Sequence, residues 1–350
     1  MTHRRPVLHF RAGSRLIAVA LALGFTSLLV AVAGASPIET FRLLWDGSLG
    51  TGDKFANTVM TWVPLVLASA GLVITFSAGL WNIGVEGQIV MGAIAASWVA
   101  REVDLGTAGI ITLAILAGLA GGLLWGLLAG ALRVYGRVNE IFGGLGLDFV
   151  ATGLVVYLVI GPWKRAGIAS TSGTDPFPRE AWLPTIGNKL APIAVILAVL
   201  AVVGVYALMR GTYFGLRLKA VGANATSAFI IGIRTHRYLL AAMAIGGALA
   251  GVAGTVQVIG FQHKLVPAIS GGYGFLGILV VLLAAYRAAF IAPIAFFFVM
   301  ISVGSSQLSL RLGLDSSIGG VIQGTLVLVA VLVGGWQAQR ARHGAVAVED

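Results

Sequence analysis

Cysteine is missing from the 350 residues, which excludes disulfides, thiolate metal sites and cysteine nucleophiles. Charge is scarce as well. Only 10% of residues are Asp, Glu, Lys or Arg, against about 25% in an ordinary soluble domain. Acids are the scarcest, 13 against 23 Lys and Arg. The pattern G-x-x-x-x-G-K-[ST] is absent, so the chain carries no Walker A loop for ATP. The five histidines (His3, His9, His236, His263 and His343) include no two at metal-ligand spacing on one helix face. No cofactor, metal site or catalytic group is expected, and the chain does not read as an enzyme.

Apolar residues dominate instead, at 58% of the chain. A soluble fold could not bury that much, because single globular cores stop growing at roughly 250–300 residues. The expected class is therefore an all-α integral membrane protein. A hydrocarbon-crossing helix needs about 20 mostly apolar residues. Ten stretches qualify, near 16–34, 57–76, 83–100, 108–132, 141–161, 191–209, 238–256, 272–286, 289–304 and 318–335. They define a basic N-terminus 1–15, a transmembrane domain 16–335 and a C-terminal tail 336–350.

The net charge of +10 is read as topology and not as nucleic-acid binding. With ten spans, 14 of the 23 Lys and Arg fall on the side that holds both termini, and 5 of those lie in the single loop 210–237. The positive-inside rule puts both termini in the cytoplasm, loop 210–237 inside and loop 162–190 outside. A second reading of the first span is a signal peptide cleaved after Ala35, although its apolar run exceeds the usual 7–15 residues of a signal core.

With 49 glycines, close helix packing is expected. Gly118, Gly122, Gly126 and Gly130 recur every four residues, and Gly247 and Gly251 repeat the spacing. Lipid offers no hydrophobic reward for helix association, so small residues must permit backbone contact.

Polar residues inside this apolar chain are the functional signal. "GLWNIGVEGQ" sets Trp81, Asn82, Glu86 and Gln88 among glycines. Intramembrane acids face a pathway by default, and broken backbone at that depth needs protein or a wet cavity around it. The competing reading is a helix cap by Asn82, with Glu86 in the first turn. A second break lies near 257–275, where Gln257, Gln262 and His263 either line a path or form an external loop. Paired interruptions in two halves point to a transport site. Asp148 is the other intramembrane acid, facing either a cavity or a neighbouring helix.

The cytoplasmic loop contains "LKAVGANATSAFIIGI", a short amphipathic stretch with five basic residues around it. It either lies on anionic lipid or docks into a groove of a soluble partner.

At these residues the chain resembles the permease subunits of bacterial ABC importers that carry branched-chain amino acids, sugars and nucleosides. "GLWNIGVEGQ" is similar to the signature of the nucleoside branch, and "LKAVGANATSAFIIGI" to the segment that inserts into the ATPase. "GGYGFLGILVVLLA" and "VIQGTLVLVAVL" follow in register, so the resemblance covers roughly 57–335. Trp81 replaces a common Phe, Asp148 a common Asn, and "AAYRAAF" the usual G-R-x-x-P.

The resemblance implies the ABC importer permease fold, with some helices discontinuous. It implies a bacterial inner-membrane location and a second permease, identical or not. Cytoplasmic ATPase subunits and an external binding protein or lipoprotein would complete the importer. The substrate path would use Trp81, Asn82, Glu86 and Gln88; ATPase coupling would use Gly222, Ala223, Asn224, Ala228, Gly232 and Ile233. The expected cargo is a nucleoside, with a simple sugar as the alternative. A secondary transporter working alone, with Glu86 and Asp148 as an ion relay, is the remaining alternative.

Overall fold

The computed structural model describes residues 24–346, apart from 29, 33, 166, 168–171, 188, 314 and 316. The basic stretch 1–15, most of the first expected span and the last four residues lie outside the described residues. The elements, in order, are helices α1 (Pro37–Leu49), α2 (Gly52–Ser77), α3 (Val85–Glu102), α4 (Gly106–Val134), α5 (Glu140–Ile160), α6 (Pro192–Gly211), α7 (Tyr213–Ala223), α8 (Ala225–Ile230), α9 (Thr235–Thr255), α10 (Tyr273–Leu283), α11 (Ile291–Leu312) and α12 (Ile318–Val346). No β-strand occurs among the described residues beyond two isolated bridges.

Each expected span after the first coincides with a helix. At least six helices are long and apolar enough to cross a membrane. α3 is not among them, since Glu86, Arg101 and Glu102 interrupt its apolar run. α10 has only 11 residues. α1 was not expected. Its signals are local, with Pro37 at the first helical position and Glu39 in the first turn.

The chain forms two compact units. The smaller holds the described residues within 1–58, 282–285 and 296–350. There Leu44, Ile301, Leu308 and Ile322 make a buried cluster. Gln323 donates to the Phe298 carbonyl at 2.6 Å, which satisfies a buried amide in an apolar setting.

The larger unit spans 59–281 and 286–295 and holds the site. Its centre is the expected glycine contact. A Cβ on Gly122 would fall 2.6 Å from Gly251 Cα, and one on Gly126 would fall 3.1 Å from Gly247 Cα. Helices α4 and α9 thus touch backbone to backbone, a distance that any side chain would forbid.

Candidate functional site

The first break is built by a glycine cap. Gly79 has φ +81, a conformation that costs other residues a Cβ clash. The Gly79 N–H donates to the Phe76 carbonyl and the Leu80 N–H to the Thr75 carbonyl, both at 3.0 Å. This is the two-bond Schellman ending, and it stops α2 at Ser77. The chain then runs without helix to Gly84, where α3 begins.

Asn82 does not cap α3. Its side-chain amide exchanges two hydrogen bonds with that of Gln88, each 3.0 Å, and both residues are buried. The pair closes the break on itself. Both polar groups therefore satisfy each other out of contact with solvent.

The two acids cap helices other than their own. The Phe275 N–H donates to Glu86 Oε1 at 3.0 Å, with the Ser270 side chain and the Gly274 N–H adding to the same carboxylate. Glu86 thus neutralises the orphan N–H groups at the start of α10. One residue on, the Gly87 N–H donates to Asp148 Oδ1 at 2.7 Å. Asp148 of α5 therefore caps α3, while Glu86 of α3 caps α10. Asp148 Oδ2 and Trp125 Nε1 have no partner among the described residues. A Cβ on Gly87 would fall 2.7 Å from Asp148 Oδ1 and 2.9 Å from Trp125 Nε1, so only glycine fits between them.

Depth follows from helix length. Eleven residues make α10 about 16 Å long, roughly half the hydrocarbon thickness. Tyr286, just past its far end, meets Phe76 at the end of α2 edge-on, with ring centroids 6.0 Å apart. Glu86 lies at the opposite end of α10 and is buried, only 6% exposed. Trp81 is apart from this cluster. It is 39% exposed and packs on Phe76 at 5.1 Å between centroids.

The second break is more ordered than the sequence suggested. α9 continues as a π-helical turn, Val256–Gln262, then reverses at His263 with φ +53. Gln257 is buried and bonds the Tyr273 hydroxyl, as does Thr61. Loop 162–190 clasps this turn. The Thr174 N–H donates to Leu265, that of Phe177 to His263, and that of Leu183 to Ile259, at 2.8–3.0 Å. Trp182 stacks on the His263 ring, with centroids 3.7 Å apart, and the Arg179 guanidinium lies 4.5 Å from the Trp182 ring centroid. The prolines hid these pairings, because they erased any strand or helix pattern.

The loop 210–237 divides at Asn224, whose side chain accepts from the Ser227 N–H at 3.0 Å and starts α8. Ala228 is buried and Gly232 has φ +87; the Ile233 N–H closes back on the Ala228 carbonyl. Ala223 ends α7. Phe229, Ile230 and Ile231 are exposed, while Gly222 is pressed onto the first break. A Cβ on Gly222 would fall 2.9 Å from the Ala78 carbonyl carbon. Sequence reading missed that contact, for which no local pattern exists.

The family of branched-chain amino acid transport system permease components matches residues 55–332. The chain belongs to this family. The permease is 29% identical over 330 residues to the glucose ABC transporter permease protein TsgB13 of Haloferax volcanii, covering 91% of this chain and 87% of that one. It is 29% identical over 321 residues to the guanosine ABC transporter permease protein NupP of Bacillus subtilis, covering 89% and 91%. It is 26% identical over 300 residues to the nucleoside ABC transporter permease protein NupB of Lactococcus lactis, covering 82% of each. Among solved structures, a chain of PsaBC from Streptococcus pneumoniae in complex with Fab aligns over 84% of the permease and 94% of that chain, with 12% identity and a TM-score of 0.46. The permease is a multi-pass membrane protein and an ABC transporter subunit, and not an enzyme.

Proposed function

We propose that the permease forms half of the conduit of an ATP-driven nucleoside importer. It would pair with a second permease, take force from cytoplasmic ATPase subunits at loop 210–237 and receive solute from an external binding protein or lipoprotein. Both termini would face the cytoplasm of a bacterial inner membrane.

One observation carries the coupling role. Gly222, at the end of α7, touches backbone at Ser77–Ala78, where the first break begins. Two and three residues past Gly84, where that break ends, Glu86 and Gly87 link α3 to α10 and α5. A push on the exposed Phe229–Ile231 surface therefore has a packed route to both breaks. Ala223, Asn224, Ala228, Gly232 and Ile233 would shape the docking turn.

Within the path, Trp81 is the exposed aromatic surface on which a base would stack. Asn82 and Gln88 hold the break shut in this state, and their amides would meet solute only after parting. Glu86 positions α10. The guanosine and nucleoside permeases among the relatives support a nucleoside; the glucose permease TsgB13, at equal identity to NupP over a longer match, supports a sugar as the second reading. Uptake of labelled guanosine by the assembled importer, chased with excess glucose, decides between them. Uptake of labelled glucose without uptake of guanosine would reject the first reading.

A further inference from the structure

The side of the larger unit that carries the coupling loop also holds a cavity of about 490 Å³ that no part of the transport account uses. Its walls include Arg210, Lys219 and Arg287, with Tyr206, Tyr286 and Phe290 between them. No carboxylate is found among its described lining residues. In a chain so poor in charge, three exposed cations around one hollow favour an anion there.

The side chains are partly positioned in advance. Arg210 is held by the Tyr206 hydroxyl, and its guanidinium lies 5.5 Å over the Tyr206 ring. Lys219 donates one of its three N–H groups to the Met209 carbonyl at 2.7 Å, capping the end of α6. Two donors remain for a ligand. Arg287 is exposed and follows Tyr286, whose φ of +61 is rare for a bulky residue. Strain of that kind persists where surrounding structure demands it, often at ligand sites.

The cavity also has an apolar approach. Ile196, Val199, Leu200, Val203 and Tyr206 are exposed along one face of α6, at the three- and four-residue spacing of a helix stripe. That stripe ends at Arg210. An acyl chain lying along it would bring a headgroup to the three cations. All three belong to the positively charged side, where anionic lipid concentrates.

We infer that the cavity bounded by Arg210, Lys219 and Arg287 binds a phosphate-bearing anion, supplied by the headgroup of an anionic glycerophospholipid. The site is independent of which solute the permease carries. A bound lipid here would tie α6 and α7 to the segment Tyr286–Phe290, beside the docking turn, and so make coupling sensitive to membrane composition.

The test uses the full-length permease. Native mass spectrometry in detergent micelles, after addition of an equal mixture of phosphatidylglycerol and phosphatidylcholine, should show phosphatidylglycerol retained preferentially. Arg210→Gln with Arg287→Gln should reduce retention about tenfold or more. Arg287→Gln alone should reduce it several-fold, and guards against a folding defect from the pair. Arg42→Gln, an exposed residue elsewhere, should leave it unchanged. Melting curves with inorganic phosphate form the second arm. A phosphate-dependent rise that is lost in the same variants, without phosphatidylglycerol retention, would keep the anion site and overturn the lipid as its source. Equal retention and equal melting in wild type and all variants would overturn the site.

Discussion

The Glu86 carboxylate accepts a hydrogen bond from the Phe275 backbone N–H at 3.0 Å across 189 residues of sequence. That bond joins the two interruptions of the chain. The acid that looked like a pathway residue is therefore also a cap, but for α10 and not for its own helix. Replacing Glu86 with Ala should strand the N–H groups of Phe275 and Gly274 and cost about 1–3 kcal/mol. Glu86→Gln keeps an acceptor and should cost less. Thermal melting of the purified permease checks the order, and uptake should fall in parallel. Equal melting for both variants would leave the cap without weight.

Asn82 and Gln88 satisfy each other, so removing one should be worse than removing both. Asn82→Leu or Gln88→Met alone leaves a buried amide unpaired, at about 1–3 kcal/mol, whereas the double variant approaches neutrality. A double-mutant cycle on melting should thus be strongly non-additive. Uptake should still fall in the double variant if the amides meet solute when the break opens.

Gly222 tests the coupling route. Gly222→Ala adds a Cβ where the Ser77 and Ala78 backbone already stands. ATP-driven uptake should collapse while membrane insertion and ATPase association persist, measured by pull-down. Normal uptake would mean that force enters elsewhere.

The clasp on the second break should respond to pH. Burial, chiefly, and the nearby Arg179 hold the His263 imidazole below its usual value of 6.5. A folded-state value below the unfolded one means that the unfolded state binds more protons, so stability rises with pH through this window. As pH falls below about 6.5 the clasp should lose stability, because charging His263 places a cation against Trp182, facing Arg179 and next to Lys264. Protease cleavage within 174–183 should therefore increase on acidification, and His263→Gln should flatten the dependence.

How much of this was readable without coordinates depended on whether the signal was local. The spans follow from apolar run length, and the rows Gly118–Gly126 and Gly247–Gly251 from their spacing. The end of α2 was readable from Gly79. The partners of Glu86 and Asp148 were not, because each lies on a distant segment and sequence gives only the acid. Asn82 fits a cap by type and position, but Gln88, six residues on, bonds its amide at 3.0 Å instead. An Asn at position 148 could also accept from the Gly87 N–H, and nothing local in the sequence marks that partner.

The most direct test of the account is transport by purified components in vesicles. With ATPase subunits and binding protein present, ATP should drive accumulation of labelled guanosine against its gradient, and Gly222→Ala should abolish it. The permease alone, under an ion gradient and without ATPase, should accumulate nothing. Concentration of solute by the permease alone would contradict the account.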